Sequence, residues 1–240
     1  MLEFKLFNIP VRVEPWFWIT AFIFGRGFQM RPDREGLTNI LLWMVIVFIS
    51  ILVHEFGHAL TSRKMTGVNP SVKLVAMGGL AYPNTHLTRQ QSFWVTWAGP
   101  LAGLGLFVVT ALATCLAYGF PVGLNLVGVL ALPWIDLTPE TRLVALQMHG
   151  VTIKIISSMV FVNFWWSIIN LLPVFPLDGG QIYAAVQPSQ KKVFQVGMIV
   201  GIAVAVIALV QFQMIFAAAL FGYLAYQNYQ RLQETSGGFR

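Results

Sequence analysis

From Ile40 to Leu60 the chain runs for 21 residues in which His54, Glu55 and His58 are the only ionisable side chains. As a helix, that stretch is about 32 Å long, enough to cross the roughly 30 Å hydrocarbon core of a bilayer. Backbone in lipid must satisfy its own hydrogen bonds, which leaves helical spans or closed barrels, and a run of this length is that of a helix. The composition agrees, since 57% of the 240 residues are hydrophobic and 10% are charged, against about 25% charged in soluble domains. The expected class is therefore an all-α polytopic membrane protein.

Other charge-poor runs extend the pattern. Pro15 to about Phe28 is a short candidate span interrupted by Arg26. No charged residue lies between Arg89 and Asp136, which predicts a span from about Phe93 to Tyr118 and then a half-span or surface loop, Gly119 to Ile135. Ile155 to Leu177 is again free of charge, with Pro173 and Pro176 breaking the helix near its end. Val193 to Gln230 would reach about 57 Å as one helix, too long for one crossing, so two spans turning near Gln211 to Gln213 are expected. Alternation over Phe4 to Val13 reads as a short strand or interfacial segment.

These runs predict about six crossings. With the N-terminus in the cytoplasm, Arg26, Arg31, Arg34, Arg142 and Lys154 fall outside and the other ten of the 15 basic residues fall inside, the bias expected of a multi-pass protein of the cell membrane. The net charge of +6 is scattered between apolar runs rather than gathered in a stripe, so no nucleic-acid partner is expected. The N-terminal segment has no basic stretch, long apolar run and small-residue cleavage site in succession, and reads as mature chain. The single Cys115 excludes an intrachain disulfide and a cysteine-based zinc cage.

His54 and His58 stand four apart, one turn on the same helix face, so both imidazoles can reach one ion, and Glu55 lies beside them. Neutral imidazoles suit Zn²⁺, and a site with three protein ligands leaves a position for water, whose pKa the ion lowers to about 7. Glu55 is placed to take that proton. The other reading is a chance motif, or histidines that hydrogen-bond between helices. Burial in an apolar span weighs against it, because each such group costs about 2.5 to 3.5 kcal/mol there when charged. The site still lacks a protein ligand. Of nine acidic residues, only Glu55 and Asp178 lie in or against apolar stretches. Asp178 is thus the candidate third ligand, brought in by the break at Pro173 and Pro176 and by Gly179 and Gly180. Its alternative is a helix cap.

HEFGH in one span and NLLPVFPLDGG, Asn170 to Gly180, in a later one resemble the site-2 proteases, the intramembrane zinc metalloproteases of peptidase family M50. The resemblance implies one Zn²⁺ per chain on His54, His58 and Asp178, with Glu55 as catalytic base. Asn170 matches an asparagine placed by the active site, where its amide would contact substrate or oxyanion; an interhelical hydrogen bond is the alternative, and Asn163, two turns earlier, serves packing. Val72 to Pro83 is similar to the family's membrane-associated β-hairpin, whose free edge would pair with an unwound substrate, making Gly78 and Gly79 candidate substrate-binding residues. A plain surface turn there stays open. Trp97 to Pro100 matches a family Gly-Pro feature, with helix packing through Ala98 to Gly105 as the other reading.

The resemblance implies an endopeptidase that hydrolyses bonds in or near the transmembrane segments of single-span membrane proteins within the lipid bilayer. One protease domain over 1–240 is expected, with a zinc helix at about 40–60, a hairpin region at about 69–87, an LDG segment at about 155–186 and C-terminal spans at about 193–228. Nothing resembles a PDZ or CBS domain, so a regulatory membrane partner or the substrate's own prior cleavage would control access. A membrane metal transporter or metal-binding protein is the competing class. Transport should show polar groups along a path and repeated halves, and the sequence shows one cluster and no repeat.

Overall fold

The computed structural model describes residues 1–25, 27–29, 33–76, 78–132 and 134–236. Arg26, Arg31 and Arg240, which entered the charge count above, lie outside the described residues.

The chain divides into two compact units, Met1–Thr85 with Leu101–Ser167, and His86–Pro100 with Ile168–Arg240. In the first, strands β1 (Leu2–Leu6) and β2 (Ile9–Val13) form a hairpin whose two-residue turn, Phe7 and Asn8, has φ of 50° and 63°. Two successive positive φ values match the twist of antiparallel strands, and Asn tolerates them well. Strands β3 (Ser71–Val75) and β4 (Gly78–Tyr82) form a second hairpin. β2 pairs in parallel with β3, Val11 opposite Val72, giving one sheet in the order β1-β2-β3-β4. The expected hairpin is therefore half of a four-stranded sheet, and the strand-like N-terminus supplies the rest. Along β2, Ile9, Val11 and Val13 are buried and Pro10 and Arg12 exposed, the period-two pattern of a sheet with one wet face.

Helix α1 (Pro15–Phe24) has ten residues, about 15 Å, half the thickness of a bilayer core. Helix α2 (Arg34–Thr66) has 33 residues, about 50 Å, and outreaches that core at both ends. The Asp33 carboxylate accepts from the Gly36 amide at 2.7 Å to cap its start. Gly67, at φ 72°, ends it in the left-handed conformation, with Arg63 and Lys64 in the last turn beside the negative end of the helix dipole. Ile9, Val11, Val13, Val72 and Leu74 of the sheet share a core with Phe17 and Ala21 of α1 and Val47, Ile51, Phe56 and Ala59 of α2.

Helix α3 (Arg89–Tyr118) gives its first twelve residues to the second unit and the rest to the first. Helix α4 (Phe120–Ala131) occupies the stretch expected as half-span or loop, and it buries Val127 and Ala131 against Ile156 and Val160. Those two lie on α6 (Gly150–Asn170), which follows the short α5 (Pro139–Gln147). In the second unit, α7 (Asp178–Val186) and α8 (Gln190–Val210) lead to α9 (Ile215–Ser236). The break at 211–214 falls at the expected turn. Val174, Phe221 and Leu224 form this unit's core.

Among the described residues, α2, α3, α6 and α8 are long and apolar enough to cross a membrane. The chain is a mostly helical, multi-pass membrane protein with a small sheet. Six full crossings are not reached on length and composition, because α1 is too short and the C-terminal half of α9 carries Gln227, Gln230, Arg231 and Glu234.

Candidate metal centre

α2 carries His54, Glu55 and His58 roughly two to three turns before its C-terminal end, all three buried at 3%, 4% and 8% exposure. The four-residue spacing sets the two imidazoles one above the other, with Nε2 of His58 3.2 Å from Nε2 of His54 and the rings inclined at 77°. Two nitrogens bound tetrahedrally at about 2.0–2.1 Å from one Zn²⁺ stand about 3.3 Å apart. The pair therefore fits a shared zinc ion, and the helix delivers that fit through local geometry alone.

The sheet reaches the same place. Gly79 of β4 lies against the Glu55 side chain so closely that a Cβ there would overlap its Cγ, Cδ and Oε1. Gly78 has φ 129°, a conformation open to glycine, and a Cβ on it would come 2.9 Å from the Trp166 ring. Gly78 and Gly79 thus open strand β4, opposite Val75 and Leu74, rather than forming the turn itself. On the other flank of α2, Asn163 of α6 donates through Nδ2 to Ser50 Oγ at 3.0 Å and to the Met159 carbonyl at 2.9 Å. Ser50 is one turn before His54. Asn163, assigned to packing by sequence, ties α6 to the helix that carries the histidine pair.

The second unit holds Asp178 and Asn170. α6 ends at Asn170, the chain turns through Leu171–Leu177 with a cis peptide between Phe175 and Pro176, and α7 begins at Asp178. Asp178 is buried at 8% exposure and follows the N-cap residue Leu177. The turn folds back on the start of α7. A Cβ on Gly179 would overlap the Leu171 carbonyl, and one on Gly180 the Phe175 amide and Val174 carbonyl carbon. The two glycines after Asp178 are there because backbone passes where side chains would be. Asn170 is half-buried. Within the first unit the structure brings together His54, Glu55, His58, Gly78 and Gly79, while Asp178 and Asn170 are set by the second.

The sequence model of peptidase family M50 matches residues 42–209, which include HEFGH, the β3-β4 hairpin and the Asp178 turn. The chain belongs to peptidase family M50. Among relatives of this M50 chain, a putative zinc metalloprotease of Synechocystis sp. is 28% identical over 190 residues, covering 76% of this chain and 42% of that protein. A zinc metalloprotease of Methanocaldococcus jannaschii is 23% identical over 186 residues, 76% of this chain and 44% of that protein. The chain thus spans less than half the length of these curated relatives. The solved site-2 protease from Methanocaldococcus jannaschii has the same fold, with TM-score 0.57, 17% identity and coverage of 96% of this chain and 94% of that one.

Sequence reasoning located the residues of both motifs but missed what surrounds them. The Gly-Gly pair signalled a hairpin; nothing in it signalled the apposition of Gly79 to Glu55. The parallel pairing of residues 11–13 with 72–74, which fastens that hairpin to the first core, likewise leaves no local trace.

Proposed function

We propose that this chain is a zinc-dependent intramembrane endopeptidase that acts on single-span proteins of the cell membrane. The observation that carries the reading is the 3.2 Å separation of two buried histidine Nε2 atoms one residue from a buried glutamate. Asp178 completes the ligand set with His54 and His58. It is the buried carboxylate besides Glu55 among the described residues, and a zinc site with three protein ligands keeps a position for chemistry. Zinc, when bound, supplies Lewis-acid polarisation of the scissile carbonyl and of the attacking water. Glu55 accepts the proton of that water on its carboxylate and returns it to the leaving amine. Burial excludes bulk water and holds the carboxylate in a low dielectric, where its orientation by Gly79 counts for more.

β4 is the terminal strand of the sheet, and its Gly79 touches the base. A peptide paired along its outer edge is extended, with a carbonyl presented beside Glu55; a substrate helix has to unwind to pair there. Asn170 adds an amide donor for the substrate carbonyl or oxyanion. With the four long spans, α1 and α9 make six membrane elements, in one protease domain with a cytoplasmic N-terminus, and a membrane partner governs access of substrate.

The deciding experiment is cleavage of a single-span peptide in liposomes by wild-type protein and by Glu55→Gln. The variant retains one zinc per chain and loses about 10²- to 10⁴-fold in rate, the share of general acid-base catalysis. Zinc retention with undiminished cleavage removes Glu55 from the mechanism, and zinc flux into liposomes without cleavage turns the protein into a transporter.

A further inference from the structure

Asp178 lies at the end of a seven-residue turn, and what holds that turn is the last helix. The carbonyl of Phe175, three residues before Asp178, accepts a 2.6 Å hydrogen bond from Nδ2 of Asn228 on α9. Asn228 is fully buried and also donates to the Leu224 carbonyl at 2.8 Å. The room for it is made by Gly197 of α8, where a Cβ would overlap Oδ1 of Asn228. One turn further along α9, the Arg231 guanidinium stands 4.4 Å above the centroid of the Phe175 ring and 5.9 Å from that of Phe194, and the two rings meet edge to face at 6.0 Å.

Phe175 is thus gripped through its backbone oxygen and through its ring, while its amide lies against Gly180 of α7. With the residue fixed on both sides, the two residues between it and Asp178 have little freedom to move the carboxylate. A buried asparagine costs free energy unless it is hydrogen-bonded, and Nδ2 of this one serves the Leu224 carbonyl of its own helix and the Phe175 carbonyl of the turn before Asp178. Groups that orient a metal ligand in this way typically account for about 10- to 100-fold in metal affinity. Neither residue belongs to the zinc or LDG motif, and both lie beyond the 42–209 family match.

We propose that Asn228 of α9 is a positioning residue that holds the Phe175–Leu177 turn and so sets the Asp178 carboxylate for metal binding. This rests on the reading of Asp178 as a ligand.

The test is zinc affinity of the 240-residue chain in detergent, by competition with a chromogenic chelator, for Asn228→Leu, Gly197→Ala, Gly201→Ala and Asp178→Asn. Asn228→Leu, which keeps the branching at Cγ and removes the amide, should still take up one zinc per chain at saturation, with affinity about 10- to 100-fold lower. Gly197→Ala should give a loss of the same kind by displacing Asn228, and it carries the test if Asn228→Leu does not fold. Gly201→Ala is the packing control, since the nearest atoms to its Cβ in the same α8–α9 contact would be those of Ala225, with Cβ at 3.0 Å, rather than those of Asn228, and it should keep wild-type affinity. Cobalt-substituted protein should show an altered visible spectrum in the first two variants and an unchanged one in the third. Wild-type affinity in Asn228→Leu, or an equal loss in Gly201→Ala, overturns the proposal. Wild-type affinity in Asp178→Asn removes the ligand assignment itself, and the positioning role falls with it for that separate reason.

Discussion

Gly79 of β4 lies against the carboxylate arm of Glu55, with no room for a Cβ between them. A strand that belongs to a four-stranded sheet and a carboxylate that belongs to a helix are thereby set at van der Waals distance. The arrangement gives the sheet edge a fixed relation to the carboxylate proposed to move the proton.

Gly79→Ala should cripple catalysis while sparing the metal. The added methyl overlaps Glu55 Cγ, Cδ and Oε1 and displaces the base by about an ångström, and displacements of that size cost about 10²-fold in rate. Turnover of a liposome-embedded peptide and zinc content of the same sample are the measurements. Wild-type turnover would show that strand and base act independently.

Removing zinc should abolish cleavage without unfolding the helices. A chelator in excess brings peptide hydrolysis to background, one equivalent of Zn²⁺ added once the chelator has been removed restores it, and the far-ultraviolet circular dichroism stays that of a helical protein, because the spans hold their own backbone bonds. His54→Ala and His58→Ala should each resist that restoration. Recovery in either variant would remove that histidine from the ligand set.

The bond between Asn163 and Ser50 should contribute modestly to stability. Interhelical side-chain hydrogen bonds in membranes couple by about 0.6 kcal/mol on average and at most about 1.7. A double-mutant cycle with Ser50→Ala and Asn163→Ala, read by unfolding in mixed detergent, should give a coupling in that range. A coupling of zero would mean the 3.0 Å contact adds nothing beyond packing.

Gly67→Ala should destabilise through the backbone alone. Nothing lies within 4 Å of a Cβ at that position, yet φ is 72°, where an L side chain costs about 1–2 kcal/mol. Gly67→Asn should cost less, since asparagine visits this region more readily. Equal unfolding free energies for glycine and alanine would show that the end of α2 refolds around the substitution.

Much of this protein is legible along the chain. Spans α2, α3, α6 and α8 follow from apolar length. The Gln211–Gln213 break follows from a run too long for one crossing, and the end of α6 from the coming prolines. The histidine pair needs nothing but a helix, because residues four apart share a face wherever the helix lies. All of these are local rules, acting over one turn or one span.

What only the tertiary structure decided involves residues far apart. Phe4 to Val13 read as one short strand or an interfacial segment, but it spans a hairpin of two strands, and the parallel partner of the second lies some sixty residues on, at 72–74. Gly78 and Gly79 read equally well as a turn until Glu55 appeared beside them. Asn228 sat in an unremarkable polar helix end, 53 residues from the carbonyl it holds. Side-chain periodicity specifies which face of an element is buried and leaves open what will cover it. The sequence by itself determined which residues could bind and activate; packing between distant segments decided how the Glu55 carboxylate is placed and how the turn before Asp178 is held.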